Sequence, residues 1–239
     1  MRSLLASHLR QLMPRIFFTG ILLAVQATTI AFGQTSAPNG GKNLLPPPGS
    51  PAWRESVDVT VGEISFRVPK PYFRTEAHVG RATLVGMWAL LPDFAPLSSD
   101  NFDSFDDNTP DSKVVSFALR YASRFRYPTP RDQLGDLVKR GVLVAHPMPG
   151  ALGLARYPLK NPEGVDAGHD YFFGQYGPER TVLLDCTRDG VPPSPSCLAK
   201  VYLGGSAYLE YNFKTRQVQQ WRNIDEKVRF LIESFKRQG

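Results

Sequence analysis

The chain has 239 residues, 42% hydrophobic and 21% charged, with 28 Lys and Arg against 22 Asp and Glu. That length suits one ordinary domain with a sizeable core. The basic surplus is partly local: Arg2, Arg10 and Arg15 lie in the first 33 residues with no acid among them, and without that stretch 25 basic residues face 22 acidic ones, a balance of +3. Such a balance does not suggest nucleic-acid binding, which needs a concentrated basic face, and Lys139-Arg140 and Lys236-Arg237 read as solvated surface.

Residues 1–33 have the layout of a secretory signal peptide: a charged start, an apolar run over 16–32, and Ala31-Phe32-Gly33 placing small residues where a signal peptidase reads. The run is shorter than the roughly 20 apolar residues that span a bilayer, and Thr19, Gln26, Thr28 and Thr29 soften it. Cleavage is therefore expected, with a periplasmic or secreted product and no stable membrane insertion. Residues 34–51 hold Pro38, Gly40, Gly41, Pro46, Pro47, Pro48, Gly49 and Pro51, the composition of a linker. A single α+β domain is expected over 52–239.

Within that body Val57, Val59 and Val61 alternate, and Ile64, Phe66 and Val68 alternate after a phase slip at Gly62-Glu63, so a turn or bulge is predicted there. An apolar run over 82–91 stops at Pro92, and Val115, Phe117, Leu119 and Tyr121 mark a further strand. Thr129-Pro130 reads as the N-cap and first residue of a helix carrying Leu134, Leu137 and Val138, ended by Gly141. Short strands are predicted near 142–145, 152–157, 170–175, 181–186, 198–203 and 208–213. A C-terminal helix carries Ile224, Val228, Leu231, Ile232 and Phe235 at helical spacing. Asn223 is its expected N-cap, Trp221 its packing anchor, and Lys227, Arg229 and Glu233 its outer face. These elements imply an antiparallel sheet of short strands with two helices laid on one face.

Cys186 and Cys197 are the only cysteines. An even count in an exported chain argues for a disulfide. Alternation on either side of a turn-rich segment places the pair across a hairpin. Cys-x-x-Cys redox spacing is absent.

No catalytic constellation emerges. His78, His146 and His169 are scattered, and His169-Asp170 alone is weak evidence for an oriented imidazole, with Asp185 or Ser206 as imaginable neighbours. Gly204-Gly205-Ser206-Ala207-Tyr208 misses the nucleophile elbow at its last position and precedes a strand, not a helix. No cofactor or metal site is predicted. Asp100, Asp103, Asp106, Asp107 and Asp111 crowd one loop, but the spacing fails the EF-hand template: Asn108 stands where its glycine belongs. Asp103, Asp106 and Asp107 are instead candidate contacts for a basic partner. Tyr171 and Tyr176 belong to an aromatic strip, with Phe172 and Phe173, that would be core on one side and partner-binding on the other.

Residues 64–73 (Ile-Ser-Phe-Arg-Val-Pro-Lys-Pro-Tyr-Phe), Trp88 with Leu91-Pro92-Asp93-Phe94, the spaced cysteines, and Tyr211-Asn212-Phe213 with Trp221 and the C-terminal helix resemble small, uncharacterised exported proteins of proteobacteria. Some of these are immunity-type partners of secreted antibacterial effectors. The resemblance implies a non-catalytic binding or inhibitor role toward a secreted or periplasmic protein, and carries over no functional residue. Two alternatives stay open: an envelope structural or lipid-associated component, and an envelope hydrolase using His169 or His146.

Overall fold

The structure, a computed structural model, describes residues 49–73, 80–123, 127–164, 166–177, 180–188, 190 and 193–237. The expected signal peptide, nearly all of the linker and His78 lie outside the described residues.

The phase slip at Gly62-Glu63 is a turn. It joins β1 (Ser56–Val61) to β2 (Ile64–Pro69) in an antiparallel hairpin, and β3 (Gly80–Arg81) adds to β1 in parallel, giving a small sheet of order β2-β1-β3. Alternation sends Val57, Val59, Val61, Phe66 and Val68 inward.

The larger sheet is antiparallel throughout. Its strands are β4 (Leu84–Leu90), β5 (Val114–Tyr121), β6 (Met148–Pro149), β7 (Leu154–Tyr157), β8 (His169–Tyr176), β9 (Arg180–Thr187), β10 (Ser196–Gly204) and β11 (Ala207–Lys214). Their order is β4-β5-β11-β10-β9-β8-β7-β6. The sheet is larger than a set of short strands implies: four of its members run to eight residues and β10 to nine. The strand expected near 142–145 is reduced to a single bridge between Leu143 and Leu159. Cys186 and Cys197 stand opposite one another on β9 and β10 and are disulfide-bonded.

Helix α1 (Pro130–Lys139) begins at Thr129, whose hydroxyl accepts from the Asp132 amide at 3.1 Å while the Asp132 carboxylate accepts from the Thr129 amide. Helix α2 (Trp221–Phe235) has its N-cap at Gln220, three residues before the cap expected at Asn223. A 3-10 segment, Thr215–Gln220, runs straight into it, so Gln220 takes the cap position and Trp221 opens the helix instead of preceding it.

The helices do not share a face. Leu134 of α1 packs with Tyr171 of β8 and Leu183 of β9. Trp221, Ile224, Val228, Ile232 and Phe235 of α2 pack against the opposite face, where Val182 and Leu184 point. The run Val182-Leu183-Leu184 explains this: consecutive apolar residues point to opposite faces of a strand, so a helix is needed on each. Burial of α2's five apolar side chains contributes on the order of 10 kcal/mol by area.

A backbone hydrogen bond joins the sheets at one end: the Glu63 amide donates to the Gly205 carbonyl at 2.9 Å. Gly62, with φ of +63°, sits so close that a Cβ there would stand 2.1 Å from the Gly205 oxygen. A cleft of about 510 Å³ opens beside this joint, lined in part by Glu63, Arg81, Tyr121 and Ser206.

Candidate functional site

The aspartate-rich loop connects β4 to β5. Six aspartates (Asp93, Asp100, Asp103, Asp106, Asp107 and Asp111) and no Lys or Arg fall within residues 91–112. Apolar side chains and internal hydrogen bonds hold the loop. Phe105 is buried with Trp53 and Leu97 in a small core of their own, against which Trp88, Leu90 and Val114 pack. The Trp53 indole donates to the Leu97 carbonyl at 3.2 Å, and Asn101 accepts from the Ser98 amide at 2.7 Å while donating to the Pro96 carbonyl at 2.9 Å. At its far end Asp111 pairs with Arg216 at 2.8 Å, and Lys214 donates to Asn108 at 2.8 Å. Asp103, Asp106 and Asp107 are exposed, and Phe102 beside them is 45% exposed. Hydrogen bonds from Thr109 hold the Asp107 carboxyl below the usual carboxylate range. The two phenylalanines that break the loop's polarity thus divide the work: Phe105 anchors it and Phe102 is presented with the carboxylates.

Tyr171 and Tyr176 are placed differently. Both are buried, at 6% and 9% exposure, and belong to the packing of the sheet rather than to a presented strip. They point to opposite faces of β8, Tyr171 toward α1 and Tyr176 toward α2. The Tyr176 hydroxyl donates to Asp225, as does that of Tyr211 from β11. Asp225 is fully buried and is also held by Arg229, whose Nε lies 2.8 Å from its carboxylate and whose guanidinium donates to the Thr181 carbonyl at 3.0 Å. Arg229 therefore turns inward, contrary to the outward placement expected for it. Burial first, and then the hydrogen bond to Asp225 together with its charge, pushes both phenols well above the usual tyrosine range. The signal for this cluster was present in the sequence: Asp225 lies four residues after Trp221 and three before Val228, so a carboxylate occupies the apolar stripe of the helix.

His169 lies at the disulfide end of the sheet. Its Nδ1 is 2.6 Å from the Asp185 carboxylate on the neighbouring strand, while Asp170 is clamped from the other face by Arg156 and Arg188. Among the described residues, the side-chain hydrogen bond of His169 is to Asp185, and no serine, threonine or cysteine is bonded to its ring. Thr187, opposite His169 in the register, has its hydroxyl engaged with the Ser196 amide at 2.8 Å and the Ser196 carbonyl. Ser206 sits in the turn at the far end of the β10–β11 hairpin, and His146 is exposed beyond α1. Among the described residues no group of three His, Cys, Asp or Glu side chains is placed to hold a metal ion, and no helix is long and apolar enough to cross a membrane.

No protein-family model matches the chain, and no curated protein matches it in sequence. Solved structures with a similar fold include Smlt3025, an immunity protein of the Stenotrophomonas maltophilia type IV secretion system. The match has a TM-score of 0.57 at 17% identity and covers 77% of this chain and 94% of that one. They also include FrpD, an iron-regulated outer membrane lipoprotein of Neisseria meningitidis, with a TM-score of 0.51 at 13% identity over 77% of this chain and 93% of that one. At these identities the likeness is one of fold: the α+β body of this chain has the architecture of an immunity protein and of an envelope lipoprotein.

Proposed function

We propose that this chain is an exported, non-catalytic binding protein of the immunity type, which acts in the periplasm or outside the cell by capturing and inhibiting a secreted effector protein. The observation that carries the reading is the fold shared with a secretion-system immunity protein over 94% of that protein's length. The acidic loop supports it: a braced segment that presents Asp103, Asp106, Asp107 and Phe102 together suits contact with a basic protein surface. Inhibition by such a protein needs no cofactor and no chemistry of its own, only occlusion of the effector's working site.

The test is capture joined to inhibition. The exported form, from Gln34 on with its disulfide closed, is immobilised and exposed to envelope and secreted fractions of its own source. Retained proteins are identified by mass spectrometry and assayed. One stoichiometric effector whose activity falls on addition of this chain is the expected result. Retention of lipid alone, with no protein inhibited, overturns the reading in favour of an envelope-structural role.

A further inference from the structure

The acidic loop is held at two places by different means. Its first half hangs on Phe105, in the small core with Trp53 and Leu97. Its second half, from Asp106 to Asp111, is held by polar side chains from the disulfide end of the larger sheet. The Lys214 ammonium, at the end of β11, donates to Asn108 at 2.8 Å and also to the Ser194 hydroxyl, which itself lies 3.4 Å from the same Asn108 oxygen. Just beyond, Arg216 pairs with Asp111, and the Gln217 side-chain amide donates to the Asp111 carbonyl at 3.3 Å. Burial pushes the Lys214 ammonium down, and the nearby Asp107 charge pulls it back.

Ser194 owes its place to the cross-linked hairpin. Residues 187–196 read Thr-Arg-Asp-Gly-Val-Pro-Pro-Ser-Pro-Ser, and three prolines without an N–H cannot extend a ladder. The pairing of β9 with β10 accordingly ends at Cys186 and Cys197 themselves. Beyond the cysteines the hairpin is tied to the end of β11. The Thr215 amide donates to the Pro195 carbonyl and the Thr215 hydroxyl to the Thr187 carbonyl, both at 3.1 Å, while Thr187 and Ser196 share two hydrogen bonds. The cross-link thus stands between the sheet and the segment that carries Ser194. Lys214, opposite Ser196 in the register, completes the path to the loop.

From this path we infer that the Cys186–Cys197 disulfide controls the acidic loop: with the bond closed, Ser194 and Lys214 fix Asn108 and the loop presents Asp106 and Asp107 to the effector, and with the bond open that half of the loop is released and capture is weak. The inference rests on the immunity-type reading and adds to it a regulation of the same contact. Closing the bond takes two electrons and two protons from the Cys186 and Cys197 thiols, and a donor protein disulfide of an oxidising compartment accepts them and becomes two thiols. The chain thereby acquires its partner contact on export and not before it. Lys214 is a positioning residue in this scheme. Its own positive charge opposes a basic effector, so a purely electrostatic role and a positioning role predict opposite results when it is removed.

Amide exchange of the free chain is the first test and needs no effector. The Asp106, Thr109 and Ser112 amides donate within the loop at 3.2, 2.9 and 3.1 Å. Peptides spanning 100–112 are expected to exchange on the order of tenfold faster after Cys186→Ser with Cys197→Ser, and likewise after Lys214→Met with the bond intact, while peptides over 224–235 of α2 hold their rate. Equal rates over 100–112 in the unchanged and cysteine-free chains overturn the inference and leave the immunity-type reading standing. An acceleration shared by α2, or a cysteine-free chain that does not fold, overturns it as well, since the bond then holds the whole domain and not the loop. The second test is affinity for the effector that the unchanged chain captures and inhibits. Lys214→Met is expected to weaken binding roughly tenfold with the bond closed and to add nothing once the bond is open, because both changes release the same half of the loop. A loss of equal factor in both states, or tighter binding after Lys214→Met, overturns the inference. Failure of the unchanged chain to inhibit any effector overturns the immunity-type reading and this inference with it.

Discussion

Among the described residues Asp225 is the only charged residue that is buried. Its buried carboxylate gathers two phenols and a guanidinium from β8, β11 and its own helix, so one group fastens α2 to the middle of the sheet. Asp225→Ala leaves Arg229 and two hydroxyls without their acceptor, and is expected to cost about 3–5 kcal/mol, read from urea unfolding. The same cluster sets an alkaline limit. Burial raises the Tyr176 and Tyr211 phenols in the folded state, whereas unfolded tyrosine titrates near pH 10. Stability from this source is full below about pH 10 and is lost as pH rises beyond it, because the unfolded chain then releases protons that the folded one retains. Tyr211→Phe should flatten that alkaline slope in a pH series of unfolding midpoints. An unaltered slope would show that Tyr211 titrates freely in the folded chain.

At the level of elements, period-two alternation made most strands legible, and so did the hairpin that the cysteines close. In β5 Val115, Phe117 and Leu119 are buried on one side, as alternation reports, whereas Tyr121 at its end is exposed. The side of the sheet taken by each helix was not legible from alternation in β9, where Val182 and Leu184 fit the pattern and Leu183 does not. The start of α2 was missed because a 3-10 segment leads into it, so no polar cap marks the boundary. Two predictions belong here. Cys186→Ser with Cys197→Ser removes a cross-link that spans 11 residues and is expected to cost about 2–3 kcal/mol of unfolding free energy. Thr129→Ala removes the cap of α1 and should cost about 1 kcal/mol, a small downward shift in melting temperature by calorimetry.

At the scale of the whole molecule, charge is unevenly spread: residues 91–112 carry six acids in a chain whose overall balance is basic. The acidic loop was legible as a loop and as a partner candidate. Its rigidity was not, because Trp53, which helps build the small core beneath it, is distant in sequence. Asp103→Lys, Asp106→Lys and Asp107→Lys together should slow association with a basic effector roughly tenfold at low salt, an effect that shrinks as ionic strength rises. A salt-independent rate would remove the loop from the encounter. The joint between the Gly62 and Gly205 turns limits what the chain accepts at either tip. Two hairpins far apart in sequence meet there with no room for a methyl group. A residue inserted at either turn alone is expected to push the two hairpins apart and to lower the melting temperature in calorimetry. A tag grafted into either turn is expected to reduce the yield of folded chain, measured by size-exclusion chromatography against the unchanged chain.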